Sequence, residues 1–232
     1  MYIDEQAGFT YQLGNTFKID SLNNYLPKAI DSTVNSKYRI EQNWKPVSII
    51  PKEKLSELNL PAEPSWLKYY KENSNKVSYL KNIGYHYNHV GASELALDPL
   101  LKAYDIEPHF DGLEFELSFA YNHLGQYEKA ILILKRAIEN NPKYFYFYRE
   151  LGFSYKNLNR IEKAEKTYRK GIKMSNNNFE KSEMAINMAQ SYFELRNKEK
   201  FDEWAKLTKK YAKKGSRYAQ FIDLFEQKWN EK

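Results

Sequence analysis

Four histidines, His86, His89, His109 and His123, are the side chains best suited to metal binding or proton transfer at neutral pH. His89 and His123 stand 34 positions apart, each preceded by Asn and followed by an aliphatic residue and Gly. A metal or catalytic pair is one reading of that echo. The other is inheritance of a repeated sequence, and it is preferred because the register places no carboxylate beside either imidazole. The chain has no H-E-x-x-H, glycine-rich phosphate loop or G-x-S-x-G elbow, and its lack of cysteine removes thiolate ligands and nucleophiles. The expectation is a protein that is not an enzyme, with no catalytic residue, metal or cofactor.

Charge suggests a different chemistry. Between Arg196 and Arg217 nine basic residues (Arg196, Lys198, Lys200, Lys206, Lys209, Lys210, Lys213, Lys214, Arg217) face three acids (Glu199, Asp202, Glu203), which matches the net charge of +6 of the whole chain. A basic helix face of this kind can meet nucleic acid, anionic lipid or an acidic partner, or be a solvated face opposite the apolar stripe of Phe201, Trp204, Leu207, Thr208 and Tyr211. Solvation is the preferred reading, since +6 over 232 residues falls short of a dedicated nucleic-acid module. Apolar residues make up 42%, enough for a sizeable core, and no run of about 18 of them could cross a membrane. Met1-Tyr2-Ile3-Asp4-Glu5 has neither the basic nor the apolar stretch of an export signal. The protein is cytoplasmic if Met1 is its native start, and exported or periplasmic if a signal was removed.

The elements that position these residues repeat. Ile83-Gly84-Tyr85-His86-Tyr87-Asn88-His89-Val90-Gly91 returns 34 residues later as Leu117-Ser118-Phe119-Ala120-Tyr121-Asn122-His123-Leu124-Gly125, and again as Leu151-Gly152-Phe153-Ser154-Tyr155-Lys156-Asn157-Leu158-Asn159. The second halves keep step: Ala96, Ala130 and Ala164; Leu100, Leu134 and Tyr168; Ala103, Ala137 and Gly171. Pro108 and Pro142 close two units. Apolar residues three and four apart, as in Leu117, Tyr121 and Leu124, define a helical face. Small residues at Gly84, Ser118, Gly152 and Ala189 let paired helices approach closely, while Tyr87, Tyr121, Tyr155 and Tyr192 fill the space one turn on. Short loops at Gly91-Ala92 and Gly125-Gln126 force each pair to be antiparallel.

This pattern resembles the tetratricopeptide repeat, a 34-residue helix–turn–helix unit. The resemblance covers roughly residues 77–214, as units 77–110, 111–144, 145–178 and a degenerate 182–214. Departures are Glu114, Asn176 and Phe201, the last at an alanine slot. Three extra residues before the fourth unit are assigned to the loop Ser175-Asn176-Asn177-Asn178. Asp111 and Glu114 read as an N-cap and its capping-box partner. Pro99, inside the second helix of unit one, costs about 3 kcal/mol in a regular helix and predicts a kink or a late start.

The fold class expected is thus all-α: a superhelical array of antiparallel helix hairpins, right-handed by the resemblance. An irregular N-terminal segment (1–76) precedes it, and residues 217–232 form a C-terminal capping helix. In residues 1–76 short helices are expected around Asp20–Ile30 and Pro64–Lys71, with prolines 46, 51, 61 and 64 imposing an extended course between them. This segment either caps the first repeat or lies in the array's groove.

By the resemblance, the first helices line a concave groove through the second, fifth, ninth, twelfth and thirteenth positions of each unit. Those are Ser78, Lys81, Tyr85, Asn88 and His89; Gly112, Phe115, Phe119, Asn122 and His123; and Tyr146, Arg149, Phe153, Lys156 and Asn157. Tyr85, Phe119 and Phe153 form a ladder of rings flanked by Lys81, Arg149 and Lys156, suited to a peptide with apolar anchors and an acidic group. The same rings could instead pack on the neighbouring helix. Some family members clamp the C-terminal carboxylate of chaperones, but Tyr85 and Glu116 stand here where clamp asparagines are expected. The implied function is a protein-interaction scaffold for an unidentified protein or peptide. The alternatives are polyanion binding through 196–217, with nucleic acid disfavoured, and homo-oligomeric self-assembly through an uncovered terminal repeat.

Overall fold

The structure, a computed structural model, describes residues 2–12, 16–28, 37–40 and 50–230. Among the described residues nine helices build the main body: α2 (Val77–His89), α3 (Ser93–Ile106), α4 (Leu113–His123), α5 (Tyr127–Asn140), α6 (Phe145–Asn157), α7 (Ile161–Met174), α8 (Asn178–Glu194), α9 (Lys198–Tyr211) and α10 (Arg217–Asn230). They pack as hairpins α2–α3, α4–α5, α6–α7 and α8–α9. The first helices α2, α4, α6 and α8 also touch in succession, and α10 lies on α8 and α9. An all-α array ended by a helix is therefore present.

The repeated columns are its core. Ala96, Ala130, Ala164, Leu100, Leu134 and Tyr168 are sealed from solvent. At Gly84 a Cβ would lie 2.3 Å from Leu100 Cγ, and at Gly152 2.5 Å from Tyr168 Cδ1. Only glycine allows α2–α3 and α6–α7 to cross this closely. Each first helix ends in the same way. The amides of Ala92, Gln126, Arg160 and Asn197 bond back to the carbonyls of Tyr87, Tyr121, Tyr155 and Tyr192, around a left-handed residue (Gly91, Gly125, Asn159, Arg196).

Several local expectations are corrected. α3 does not start late: it runs from Ser93 through a buried Pro99 to Ile106. The Asp111–Glu114 capping box does not form. The N-cap of α4 is Gly112, in the left-handed region with no side-chain cap, and Glu114 is buried with its Oε1 3.0 Å from His109 Nδ1. The extra residues of the fourth unit are not in the loop, because α8 begins at Asn178, capped by the Asn177 side chain, and gains a turn. Phe201 is fully buried at its alanine slot, stacked on Trp229 of α10 with ring centroids 4.9 Å apart.

The N-terminal segment is mostly strand where it is described. β1 (Tyr2–Asp4), β2 (Gly8–Gln12) and β5 (Lys37–Arg39) form an antiparallel sheet in the order β1-β2-β5, and β3 (Thr16–Ile19) pairs with β4 (Tyr25–Lys28). The helix expected at Asp20–Ile30 is replaced by this hairpin, with residues 29 and 30 outside the described part. Asp20 accepts from the amides of Leu22 (2.9 Å) and Asn24 (2.8 Å), and Asn23 turns left-handed, so the chain reverses instead of coiling. The second expected helix is present as α1 (Leu67–Lys71). β1 and β2 rest on α2: His86 Nε2 lies 3.0 Å from the Glu5 carbonyl oxygen, and the Phe9 and Tyr87 rings meet edge to face at 5.9 Å.

Candidate functional site

Of the fifteen candidate positions all but Gly112, the N-cap of α4, lie within the first helices, and the structure sorts their side chains into rings, ties and charges. The rings point outward. Tyr85, 42% exposed, stacks on His89 one turn along (5.9 Å), and Phe119 stacks on His123 in the same manner (6.1 Å). Phe153 meets Tyr127 edge to face at 6.3 Å. Each ladder ring is therefore paired within its own neighbourhood. The two histidines are ring partners, and among the described residues no cluster could hold a metal ion.

Asn88 and Asn122 are ties. Both are buried. Asn88 Nδ2 donates to the Glu116 carbonyl and to Glu116 Oε2, each at 2.9 Å. One unit on, Asn122 Nδ2 donates to the Glu150 carbonyl (3.2 Å) and to Oε2 (2.9 Å). The third slot holds Lys156, whose ammonium donates to Asn187 Oδ1 (3.3 Å) and Gln190 Oε1 (2.8 Å) of α8. Burial pulls the Lys156 ammonium below its usual pKa. A polar tie thus joins each pair of neighbouring first helices.

Arg149 is committed within the fold. Its Nε and Nη2 donate to Glu150 Oε1 (3.0 and 2.9 Å), and its Nη1 donates to Glu180 Oε2 (2.6 Å) with Glu183 at 3.8 Å. The guanidinium also lies over the rings of Phe115 and Tyr146, which meet each other at 5.6 Å. Burial disfavours its charge, but the three glutamates outweigh that and raise its pKa. Glu180 comes from the turn that α8 gains, so an insertion at the fourth unit supplied a partner for the third. Burial pushes the carboxyls of Glu116 and Glu183 above the usual range.

Sequence reasoning noted Lys81, Arg149 and Lys156 but missed the carboxylates opposite them. The signal was present: Glu116 and Glu150 are one repeat apart, each 28 residues after its Asn partner. Asn157 turns back on its own helix, its Nδ2 donating to the Phe153 carbonyl at 2.9 Å. The basic stretch 196–217 is partly spent: Lys198 pairs with Asp202, Lys200 with Glu165 and Lys209 with Glu226. Lys206, Lys213 and Lys214 make no ion pair among the described residues. No helix of the described residues is long and apolar enough to cross a membrane.

Two family models match the sequence, one described as TPR repeat over residues 120–159 and one as tetratricopeptide repeat over 147–178. No curated protein sequence matches the chain. Among solved structures, a thermophilic TPR protein of Thermus thermophilus, TTC0263, superposes with a TM-score of 0.58 at 19% identity, covering 70% of this chain and 87% of that one. A crystal structure of MamA gives 0.53 at 24% identity, over 72% and 88% of the two chains. At such identities the likeness is one of fold. Helix pairs at a 34-residue step, the glycine crossings and the two sequence matches agree: residues 120–178 carry tetratricopeptide repeats, and the helical array has the fold of tetratricopeptide-repeat proteins.

Proposed function

We propose that the protein is a non-enzymatic scaffold that binds a segment of a partner protein along the first-helix face of α2, α4 and α6. The observation that carries this reading is the placement of Tyr85, Phe119 and Phe153. They are partly exposed rings at equivalent positions of three successive helices, while the contacts of β1 and β2 with α2 run through His86 and Tyr87 and leave Tyr85 and His89 exposed. Large amphipathic rings held on a rigid scaffold supply binding area at little entropic cost. Replacing Phe119 and Phe153 together by alanine removes two of the three rings without touching the buried columns. Helicity by circular dichroism is expected to be retained. A partner recovered by the wild-type chain and then titrated as purified protein is expected to bind about tenfold or more weakly. Unchanged affinity overturns the reading. Loss of binding with salt that follows charge reversal at Lys206, Lys213 and Lys214 instead would transfer the function to the basic helix.

A further inference from the structure

The inference rests on the groove reading and names one chemistry of its ligand. We propose that Glu116 anchors a cationic side chain of the bound segment, an arginine guanidinium foremost. The argument comes from comparing two junctions built from the same parts. At α4–α6, Glu150 is complete: Oε2 takes Asn122 Nδ2 at 2.9 Å, and Oε1 takes the Arg149 guanidinium through two N–H groups at 3.0 and 2.9 Å. At α2–α4, Glu116 occupies the same slot and its Oε2 takes Asn88 Nδ2 at 2.9 Å. The preceding residue, however, is Phe115 where the next unit has Arg149. Among the described residues no donor reaches Glu116 Oε1, and no Lys or Arg nitrogen comes within 4.0 Å of the carboxylate.

Glu116 is 9% exposed, and among the described residues no protein donor occupies its Oε1. A buried carboxylate without a cation is costly, and a guanidinium is the donor that repays it best. The molecule itself provides that complement one repeat away. Asn88 is also less satisfied than its counterpart. Asn122 Oδ1 accepts from Ser154 Oγ at 2.7 Å, but the matching position is Ala120 and the buried Asn88 Oδ1 has no partner among the described residues. Space is present as well: the position filled by Tyr146 in the next junction is Gly112 here, and a Cβ placed there meets nothing within 4 Å.

The groove's charges point the same way. Glu116, Glu150, Glu180 and Glu183 face Lys81, Arg149 and Lys156, and Arg149 already serves three of the four carboxylates. Lys81 is the near competitor. It helps hold the Glu116 charge yet makes no ion pair among the described residues.

The test titrates the full chain with acetyl-Ala-Arg-Ala-amide and with its lysine, citrulline and aspartate counterparts, following the Asn88 side-chain amide by NMR. Arginine is expected to bind tightest, lysine next, and citrulline about tenfold or more weakly than arginine. Glu116→Gln keeps an acceptor for Asn88 and is expected to reduce arginine binding to the citrulline level. Lys81→Met removes the competing cation and strengthens arginine binding, and Phe115→Arg, which rebuilds the α4–α6 arrangement, raises Tm and blocks the probe. Equal binding of citrulline and arginine, or arginine binding unchanged in Glu116→Gln, overturns the proposal, as does preferential binding of the aspartate probe lost in Lys81→Met. A purified partner that depends on Phe119 and Phe153 but not on Glu116 leaves groove binding intact and removes only this anchor.

Discussion

The two ends of the array solve one problem with unlike materials. A terminal repeat leaves its apolar side open, and something must cover it. At the C-terminal end α10 continues the stack: Tyr218 and Ile222 are buried, and Trp229 lies on Phe201 and against Phe193, at 4.9 and 5.5 Å. At the N-terminal end a sheet rests on α2 through the His86 hydrogen bond and the Phe9–Tyr87 contact. Its neighbouring hairpin keeps Ile19 and Leu22 in solvent, 54% and 80% exposed. Cover by a packed helix makes the end part of the cooperative core. Cover by a sheet through a few contacts makes it separable.

The largest effect expected from this contrast is at Phe201. Phe201→Ala empties a sealed site shared by α8, α9 and α10 and costs about 3–5 kcal/mol, lowering the Tm of the helical signal. An equally small loss at both ends would break the comparison. His86→Ala removes one hydrogen bond and part of one packing contact, about 1–2 kcal/mol, and that loss falls on the strands. Hydrogen exchange in β1 and β2 is expected to accelerate while the array melts as before.

Acid should separate the ends in order. Burial, with Arg39 nearby, holds the His86 imidazole below its ordinary pKa of 6.5 against the pull of the Glu5 carbonyl and Asp4. The folded state therefore favours neutral His86. Its contribution is full above about 6.5 and is lost as pH falls below that toward the depressed folded value. At the other end burial pushes Glu165 up, but Tyr192, Lys200 and Arg169 donate to it and bring it down to about 2 from 4.5. That contribution is full above 4.5 and is lost only between 4.5 and about 2. Exchange measured from pH 7 to 3 is expected to release β1 and β2 before α7–α9. Simultaneous release would show the sheet to be integral to the core. The smallest change is Asn159→Gly, at the left-handed residue ending α6, expected to stabilise the third hairpin by about 0.5 kcal/mol in a denaturant titration.

What the sequence disclosed follows the same division. The helical array is legible because its contacts recur at fixed offsets: Gly84 meets Leu100 sixteen residues on, as Gly152 meets Tyr168. The strands are not, because β3 and β4 offer four residues each and β2 pairs with β5 across a long stretch of chain. Asp20, which could cap a helix, closes a turn here. On the first helices, position alone gives Tyr85, Phe119 and Phe153 as equivalent, partly exposed rings. It does not show that Asn88 and Asn122 are consumed as ties, or that Arg149 is claimed by a glutamate from an added turn of α8. Which neighbour satisfies a charge depends on junctions between units, and the pattern of one unit does not contain them.

The common closure of the first helices makes the array divisible. Excising residues 92–125 would join Gly91 to Gln126 and leave the Tyr87 carbonyl an amide to receive. α5 would then follow α2 in place of α3, with α6 as the next inner helix. Asn88 would inherit Glu150, along with the arginine that already saturates it. The number of first helices and the presence of a carboxylate without an ion-pair partner would thus change together, in whole modules.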